Sequence, residues 1–349
     1  MEDLVRLAGS RQGSHGARGS GGKTDAQQGV WLGLCALALG LLTAQGAIAQ
    51  QCQLKLIASF DMQGNPAESI VVPITMNGKQ IPTLIDTGAT AGLMEASAAT
   101  ALGLTTRPVR QTMMIYSAGG RRYDRFATVP ELEIGPLRIR NTDFIVADNI
   151  FHGDAGVTAS LGQTALEPFD IEFDFAARKV RFFSQDHCEG KVVYWSGNFV
   201  SVPFKLIGGD EIALQMTLDG RDIDAVLDTG ASFTYINSRV ASQVYGIDET
   251  SPTIKRYETG NPAKPVVYGA PFESLSIGGI NMPKPTILLI DDKVRQRARW
   301  DIPDKMQNQP GEFLPHFPHL LLGLDVLHHL RVYIAYREHK IYATAADAQ

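Results

Sequence analysis

The sequence predicts an all-β protein built from two copies of one lobe. Three observations carry this: an internal repeat runs through most of the chain, both copies read as short strands broken by Gly and Pro turns, and helical periodicity is weak. At 349 residues the chain has room for two domains of ordinary size. An apolar fraction of 44% and a charged fraction of 20% are those of a folded globular protein. The net charge of −5, without blocks of like charge, disfavours nucleic acid or an anionic membrane as a partner.

The first thirty residues are rich in Gly, Ser, Arg and Gln and cannot bury a core. An apolar run from Trp31 to Leu42 follows, then small residues, with Ala47-Ile48-Ala49 fitting the A-x-A pattern of a signal-peptidase site. The run is shorter than the roughly 20 apolar residues a membrane span needs. It therefore reads as a signal peptide cleaved near Ala49, which sends the chain to the periplasm or outside the cell. An uncleaved N-terminal anchor is the alternative; without it the mature form has no membrane contact.

The expected domains are a leader and signal peptide over 1–49, a first lobe over 50–190 and a second lobe over 191–349. The polar stretch near Ser184–Gly197 joins the lobes. Cys35 sits inside the signal, whereas Cys52 and Cys188 fall at the two ends of the first lobe. One bridge between them, or two free thiols, both fit a compartment that permits disulfides.

The repeat sets the order of the elements. Val72–Thr90 (VPITMNGKQIPTLIDTGAT) aligns without gaps on Leu214–Ser232 (LQMTLDGRDIDAVLDTGAS), placing Gly78 on Gly220 and Asp86 on Asp228. Further on, Leu132–Gly135 meets Leu275–Gly278, and Leu161-Gly162 meets Leu322-Gly323. The offset grows along the way, so the second copy carries an insertion at about 291–319.

Asn77-Gly78 and Asp219-Gly220 sit between alternating apolar runs and predict tight hairpins. The second strand of each hairpin runs straight into Asp-Thr-Gly. Further strands are expected at Ala127–Ile134, Leu137–Val146, Ile171–Phe175 and Val180–Phe183, with counterparts in the second copy. Short helices are expected at Ala96–Leu102 and Ser238–Val244.

One Asp-Thr-Gly alone is an ordinary turn after a strand. Two, at matching places in a duplicated lobe, each followed later by a Leu-Gly element, are a specific constellation. With those residues in view, the chain resembles the retropepsin-like and pepsin-like aspartic peptidases over essentially all of its mature length. The resemblance implies the bilobal aspartic-peptidase (acid protease) fold, two retropepsin-like β-barrel lobes with a cleft between them. It implies Asp86 and Asp228 as the catalytic pair, Thr87 and Thr229 hydrogen-bonded across a pseudo-two-fold axis, and Gly88 and Gly230 close to the carboxylates. Gly162 and Gly323 would pack beneath the loops.

The resemblance further implies a hairpin flap, for which Met114–Tyr123 is the candidate, with Tyr116 facing substrate and Gly119-Gly120 at the tip. A Tyr on a solvated hairpin is the plainer reading. Lobe one departs from the family pattern: Ser160 precedes Leu161-Gly162, and Gly162-Gln163-Thr164 stands where lobe two keeps Gly323-Leu324-Asp325.

The chemistry follows from the carboxylates themselves. Two held a few Å apart cannot both ionise cheaply, so the pair keeps one proton. The ionised member takes a proton from a bound water while the protonated member donates to the peptide carbonyl. No metal, cofactor or covalent intermediate is needed. Ala89 and Ala231 lack the hydroxyl that Ser offers in pepsins, so a less acidic optimum than pepsin's is expected.

His316, His319, His328 and His329 cluster in sequence without a zinc-protease motif. No G-x-S-x-G elbow or phosphate-binding Gly loop is present. The expected partner is a polypeptide substrate, and the expected state is a monomer that forms its own pseudo-dimer. The rival reading is a non-catalytic peptide-binding protein of the same fold.

Overall fold

In the computed structural model, residues 53–109, 115–116, 122–151, 156–207, 210–259, 266–290 and 319–346 are described. All of them belong to one compact unit, Gln50–Gln349.

Lobe one begins with β1 (Leu56–Asp61), β2 (Val71–Met76) and β3 (Lys79–Ile85). The β2–β3 hairpin turns at Asn77 and Gly78, with φ of 49° and 77°. Both lie in the left-handed region, where the turn's twist matches that of the strands and Asn-Gly is the favoured pair. Next come β4 (Gly92–Glu95), α1 (Ala96–Ala101), β5 (Thr106–Pro108), β6 (Ile115–Tyr116), β7 (Arg122–Tyr123), β8 (Arg125–Ile134) and β9 (Leu137–Ala147). The lobe ends with β10 (Ala159–Leu161), α2 (Gln163–Leu166), β11 (Asp170–Asp174) and β12 (Lys179–Phe183).

Strands β2-β3-β10-β4-β9-β8 form a sheet that closes on itself through β2–β8 pairing. Alternate residues point inward, and Ile74, Met76, Ile85, Met94, Leu132 and Phe144 fill the barrel with no exposure at all.

Lobe two repeats the order. It runs through β13 (Val200–Ile207), β14 (Glu211–Leu218), β15 (Arg221–Leu227), β16 (Tyr235–Asn237), α3 (Ser238–Tyr245), β17 (Lys255–Glu258) and β18 (Val266–Pro271). Then follow β19 (Ser274–Ile277), β20 (Ile280–Pro283), β21 (Thr286–Ile290), β22 (Leu320–Leu322), α4 (Leu324–Leu327), β23 (Leu330–Ala335) and β24 (Lys340–Ala345). The Asp219-Gly220 turn repeats the first hairpin, with φ of 46° and 74°.

One difference between the lobes falls at prolines. The path of β8 and β9, unbroken in lobe one, is split in lobe two into β18 and β19 and into β20 and β21. Pro271, Pro283 and Pro285 stand at the breaks, where lobe one has Thr128, Arg140 and Thr142. Proline has no N–H to give to the ladder, which favours a break, although Pro130 is accommodated within β8.

A six-stranded run, β1-β12-β11-β23-β24-β13, joins the lobes, with β11 and β23 paired antiparallel at its centre (Ile171 opposite Ile334, Phe173 opposite Val332). One face of β11 sends Ile171 and Phe173 into the core. Its other face carries Asp170, Glu172 and Asp174, all buried. Three buried carboxylates on one strand require partners. Glu172 accepts from Arg181 (2.8 Å), from Arg331 (2.8 and 2.6 Å) and from the Tyr194 hydroxyl (2.6 Å). Asp174 takes Arg181 at 2.9 Å, and Asp170 takes the buried His187 ring at 2.5 Å.

The fold class is thus the all-β, two-lobed one the repeat predicts. Cys188 is disulfide-bonded, and Cys52 lies outside the described residues. No helix among the described residues is long and apolar enough to cross a membrane.

Removing Glu172 leaves Arg181 and Arg331 to share Asp174 alone, with positive charge in excess in a buried network. Glu172→Ala should therefore cost about 3–5 kcal/mol, read as a fall in the urea midpoint. A change below about 1 kcal/mol, the scale of a surface pair, would show that the network is solvated and contributes little.

Candidate active site

Each lobe brings its Asp-Thr-Gly to the junction by the same device. β10 lies parallel to β3 and antiparallel to β4, so the loop joining β3 to β4 must cross the end of β10. β22 does the same between β15 and β16. Asp86 N–H then bonds the Leu161 carbonyl, and Asp228 N–H the Leu322 carbonyl, both at 3.0 Å. The residue after each Leu must be Gly. A Cβ on Gly162 would sit 2.6 Å from the Ala89 and Ala91 oxygens, and one on Gly323 would sit 2.3 Å from the Phe233 oxygen. Both glycines, expected to pack beneath the loops, lie against loop residues, Gly162 against Ala89 and Ala91 and Gly323 against Ala231 and Phe233.

The two loops meet head to head. Thr87 N–H donates to Thr229 Oγ1 and Thr229 N–H donates to Thr87 Oγ1, both at 3.0 Å. Each hydroxyl passes its own proton on: Thr87 Oγ1 donates to the Leu227 carbonyl (2.9 Å) and Thr229 Oγ1 to the Ile85 carbonyl (2.7 Å). Both threonines are buried.

The carboxylates lie directly over this grip and remain partly exposed. Gly88 N–H donates to Asp86 Oδ1 at 3.0 Å, and Gly230 N–H to Asp228 Oδ1 at 2.9 Å. Each carboxylate also covers the other loop's glycine. A Cβ on Gly88 would stand 2.2 Å from the Asp228 carboxyl carbon, and one on Gly230 2.4 Å from that of Asp86. No residue larger than Gly fits while the two acids remain this close.

Burial pushes both carboxyls well above the usual value of 3.8. Asp86 rises to about 6, held back by the Gly88 N–H and by its bond to Asp228. Asp228 rises to about 8, because the charge of Asp86 adds to the loss of solvent. Such a pair holds one proton across the neutral range, and its two steps belong to the pair.

A second tier of bonds, absent from the sequence-based expectations, ties each loop to the opposite lobe. The Thr90 hydroxyl bonds Asp210, whose carboxyl burial raises, and Ser232 Oγ donates to the Glu68 carbonyl at 2.7 Å. Thr90 aligns with Ser232 and Glu68 with Asp210, so the ties are symmetric in position although not in chemistry.

The family departures also find partners. Ser160 Oγ accepts from Leu93 N–H at 3.2 Å, while Asp325, which keeps the pattern in lobe two, accepts from the Thr234 hydroxyl at 2.6 Å. Gln163 donates its amide to the Thr87 carbonyl and receives the Tyr336 hydroxyl. Nothing in the sequence pointed to Tyr336, which lies far along the chain.

In the flap region, β6 and β7 pair antiparallel, Tyr116 opposite Arg122, which makes a hairpin; Gly119 and Gly120 fall outside the described residues. His316 and nearly all of the insertion at 291–319 also fall outside them. Among the described residues, no group of three or more His, Cys, Asp or Glu could hold a metal ion.

Two β lobes that each carry an Asp-Thr-Gly loop across a psi-like strand crossing define the bilobal aspartic-protease class. The family model described as aspartyl protease matches residues 72–165 and 214–326, more than half of the chain and once in each lobe. The chain belongs to the aspartyl protease family, in its retropepsin-like form. Comparison with curated proteins finds no match.

The raised carboxyls make a stability prediction. A folded-state carboxyl that holds its proton above 3.8 binds a proton the unfolded chain has released, so ionisation opposes folding as pH rises from about 4 to about 8. Asp228→Asn removes the titration and should raise stability at pH 7–8 by about 1–3 kcal/mol. The gain should vanish below about pH 4, where folded and unfolded chains are both protonated. Thermal unfolding across this range measures it. An equal gain at low pH would show that the effect is not the carboxyl's ionisation.

Proposed function

We propose that the protein is an aspartic endopeptidase that hydrolyses peptide bonds of exported proteins, with Asp86 and Asp228 activating one water. The observation that carries this is the pair of carboxylates held over the reciprocal Thr87–Thr229 bonds. Their singly protonated state supplies a base and an acid at once. The ionised carboxylate takes a proton from water as it attacks the scissile carbonyl. The protonated one donates to the oxygen that becomes tetrahedral, and the proton returns to the leaving amine as the C–N bond breaks.

Export is supported by the apolar run and A-x-A site near Ala49 and by the disulfide at Cys188, since such bonds persist outside the reducing cytosol. The family match supports protease chemistry in general. The presence of both acids, each with its Gly N–H donor, favours turnover over passive peptide binding.

The test is cleavage of a peptide library by the chain beginning near Gln50. Asp86→Asn and Asp228→Asn should each cut the rate by about a hundredfold to ten-thousandfold, and the double variant should be little worse. Substantial cleavage by either single variant would exclude a shared site.

The pH dependence tests the same reading separately. The active form predominates between the two steps of the pair, so kcat/KM should peak at about pH 6–8, less acidic than pepsin. A maximum below about pH 3 would mean that the pair is solvated as in pepsin.

A further inference from the structure

The two loops share the Thr bonds and the Gly N–H donors but differ at the residue after the packing glycine. Leu161-Gly162-Gln163 aligns with Leu322-Gly323-Leu324, so an amide in lobe one stands where lobe two has a hydrocarbon. Gln163 is 1% exposed. Its Nε2 donates to the Thr87 carbonyl at 2.8 Å, and its Oε1 accepts from the Tyr336 hydroxyl at 2.7 Å. Tyr336 is fixed in turn, because its N–H donates to buried Asp170 at 3.0 Å, and Asp170 holds His187. The Gln163 amide is therefore set in one orientation by groups on both sides.

The Thr87 carbonyl and the Gly88 N–H are the two ends of one peptide group, and that N–H donates to Asp86 Oδ1. A hydrogen bond accepted at the carbonyl end polarises the group and strengthens the donor at the other end. In lobe two the Thr229–Gly230 peptide donates to Asp228 in the same way, but Leu324 has no donor to offer the Thr229 carbonyl.

We propose that Gln163 is a positioning residue that makes the two carboxylates unequal. Acting through the Thr87–Gly88 peptide, it favours the ionised form of Asp86 and leaves the shared proton on Asp228. Only the kinetic consequence rests on the peptidase reading above; where the proton sits is a property of the pair.

Other titratable groups lie near both loops. Asp210 is engaged by Thr90. Tyr235 on β16 has its hydroxyl raised by burial first, then by Asp325 and Asp228. Asp325 on α4 is held by Thr234 and places negative charge on the lobe-two side.

The experiment follows the carboxyls directly, by 13C NMR of protein labelled at the Asp carboxyl carbon. Asp86→Asn and Asp228→Asn assign the two resonances. In the wild-type chain Asp86 should ionise first. Gln163→Met keeps the side-chain length but has no amide, and combining it with Tyr336→Phe leaves no orphaned hydroxyl. This double variant should raise the first step by about half a pH unit, the scale expected from losing one cooperative bond. The acidic limb of kcat/KM should move by the same amount. Tyr336→Phe alone keeps the Gln163–Thr87 bond and should move the step much less.

An unmoved first step in the folded double variant would overturn the proposal, as would an equal shift in Tyr336→Phe alone. The wild-type order of ionisation needs no Gln163 variant, and Asp228 ionising first would overturn it too. A protein that shows the NMR shift but cleaves nothing would sink the peptidase reading and leave the proton placement standing. Cleavage with an unmoved NMR step would do the reverse.

Discussion

Two threonine hydroxyls hold the junction of this molecule. Each accepts the N–H of the facing Thr and donates to the carbonyl of the residue just before the facing Asp. Both Asp86 and Asp228 are thereby fixed on either side by the other lobe. Four buried bonds in one small patch leave little freedom for either loop, and any unmade one would cost about 1–3 kcal/mol. A valine at either position would keep the shape and lose the donor and acceptor together. The close approach of carboxylate to carboxylate, and hence the shared proton, depends on this grip.

The grip would not survive a sliding interface, and the six-stranded run beneath it prevents sliding. β11 and β23 pair across the lobes, and the carboxylates on β11 are tied to Arg331 of lobe two and to Arg181 of lobe one. Buried ion pairs add little net stability over apolar packing, but they penalise any other register heavily. The polar face of β11 thus fixes the alignment of the two halves, while Ile171 and Phe173 on its opposite face supply the apolar burial. The same strand carries Asp170, from which a line of bonds runs through Tyr336 and Gln163 to the Thr87 carbonyl. The Asp-Thr-Gly loop of lobe one is anchored to the interlobe sheet through Gln163, whereas lobe two has Leu324 at the matching place.

Much of this was legible in the sequence because it is local or repeated. Asn77-Gly78 and Asp219-Gly220 specify their turns by backbone conformation alone, so the hairpins that lead into Asp86 and Asp228 were readable. The helices after each loop, Ala96–Ala101 and Ser238–Tyr245, fell within a residue of their expected ends. What could not be read is what depends on distant partners. Glu172 reads as one polar residue in a strand, and its burial is intelligible only once Arg181, Tyr194 and Arg331 surround it. Gln163 read as a departure from a pattern; its meaning depends on Tyr336, 173 residues away. The split of β8 into β18 and β19 falls at Pro271, but an alignment of side chains does not register the loss of an N–H.

Duplication creates a difficulty that the divergence of the lobes resolves. A strictly two-fold junction would give Asp86 and Asp228 the same surroundings, and the pair would hold its proton on either with equal ease. In the proposed reaction, general acid and general base must be different groups at the moment of attack, and a peptide, which has direction, would meet the two sides differently. The sequence breaks the symmetry at the same small set of positions that surround the loops. Gln163 aligns with Leu324, Thr164 with Asp325, and Ala91 with Phe233, whose ring is half exposed. None of these replacements disturbs the reciprocal Thr bonds or the Gly N–H donors, which remain two-fold. The frame stays symmetric because both lobes need the same crossing of β10 and β22, and the inequality enters through the side chains packed against it.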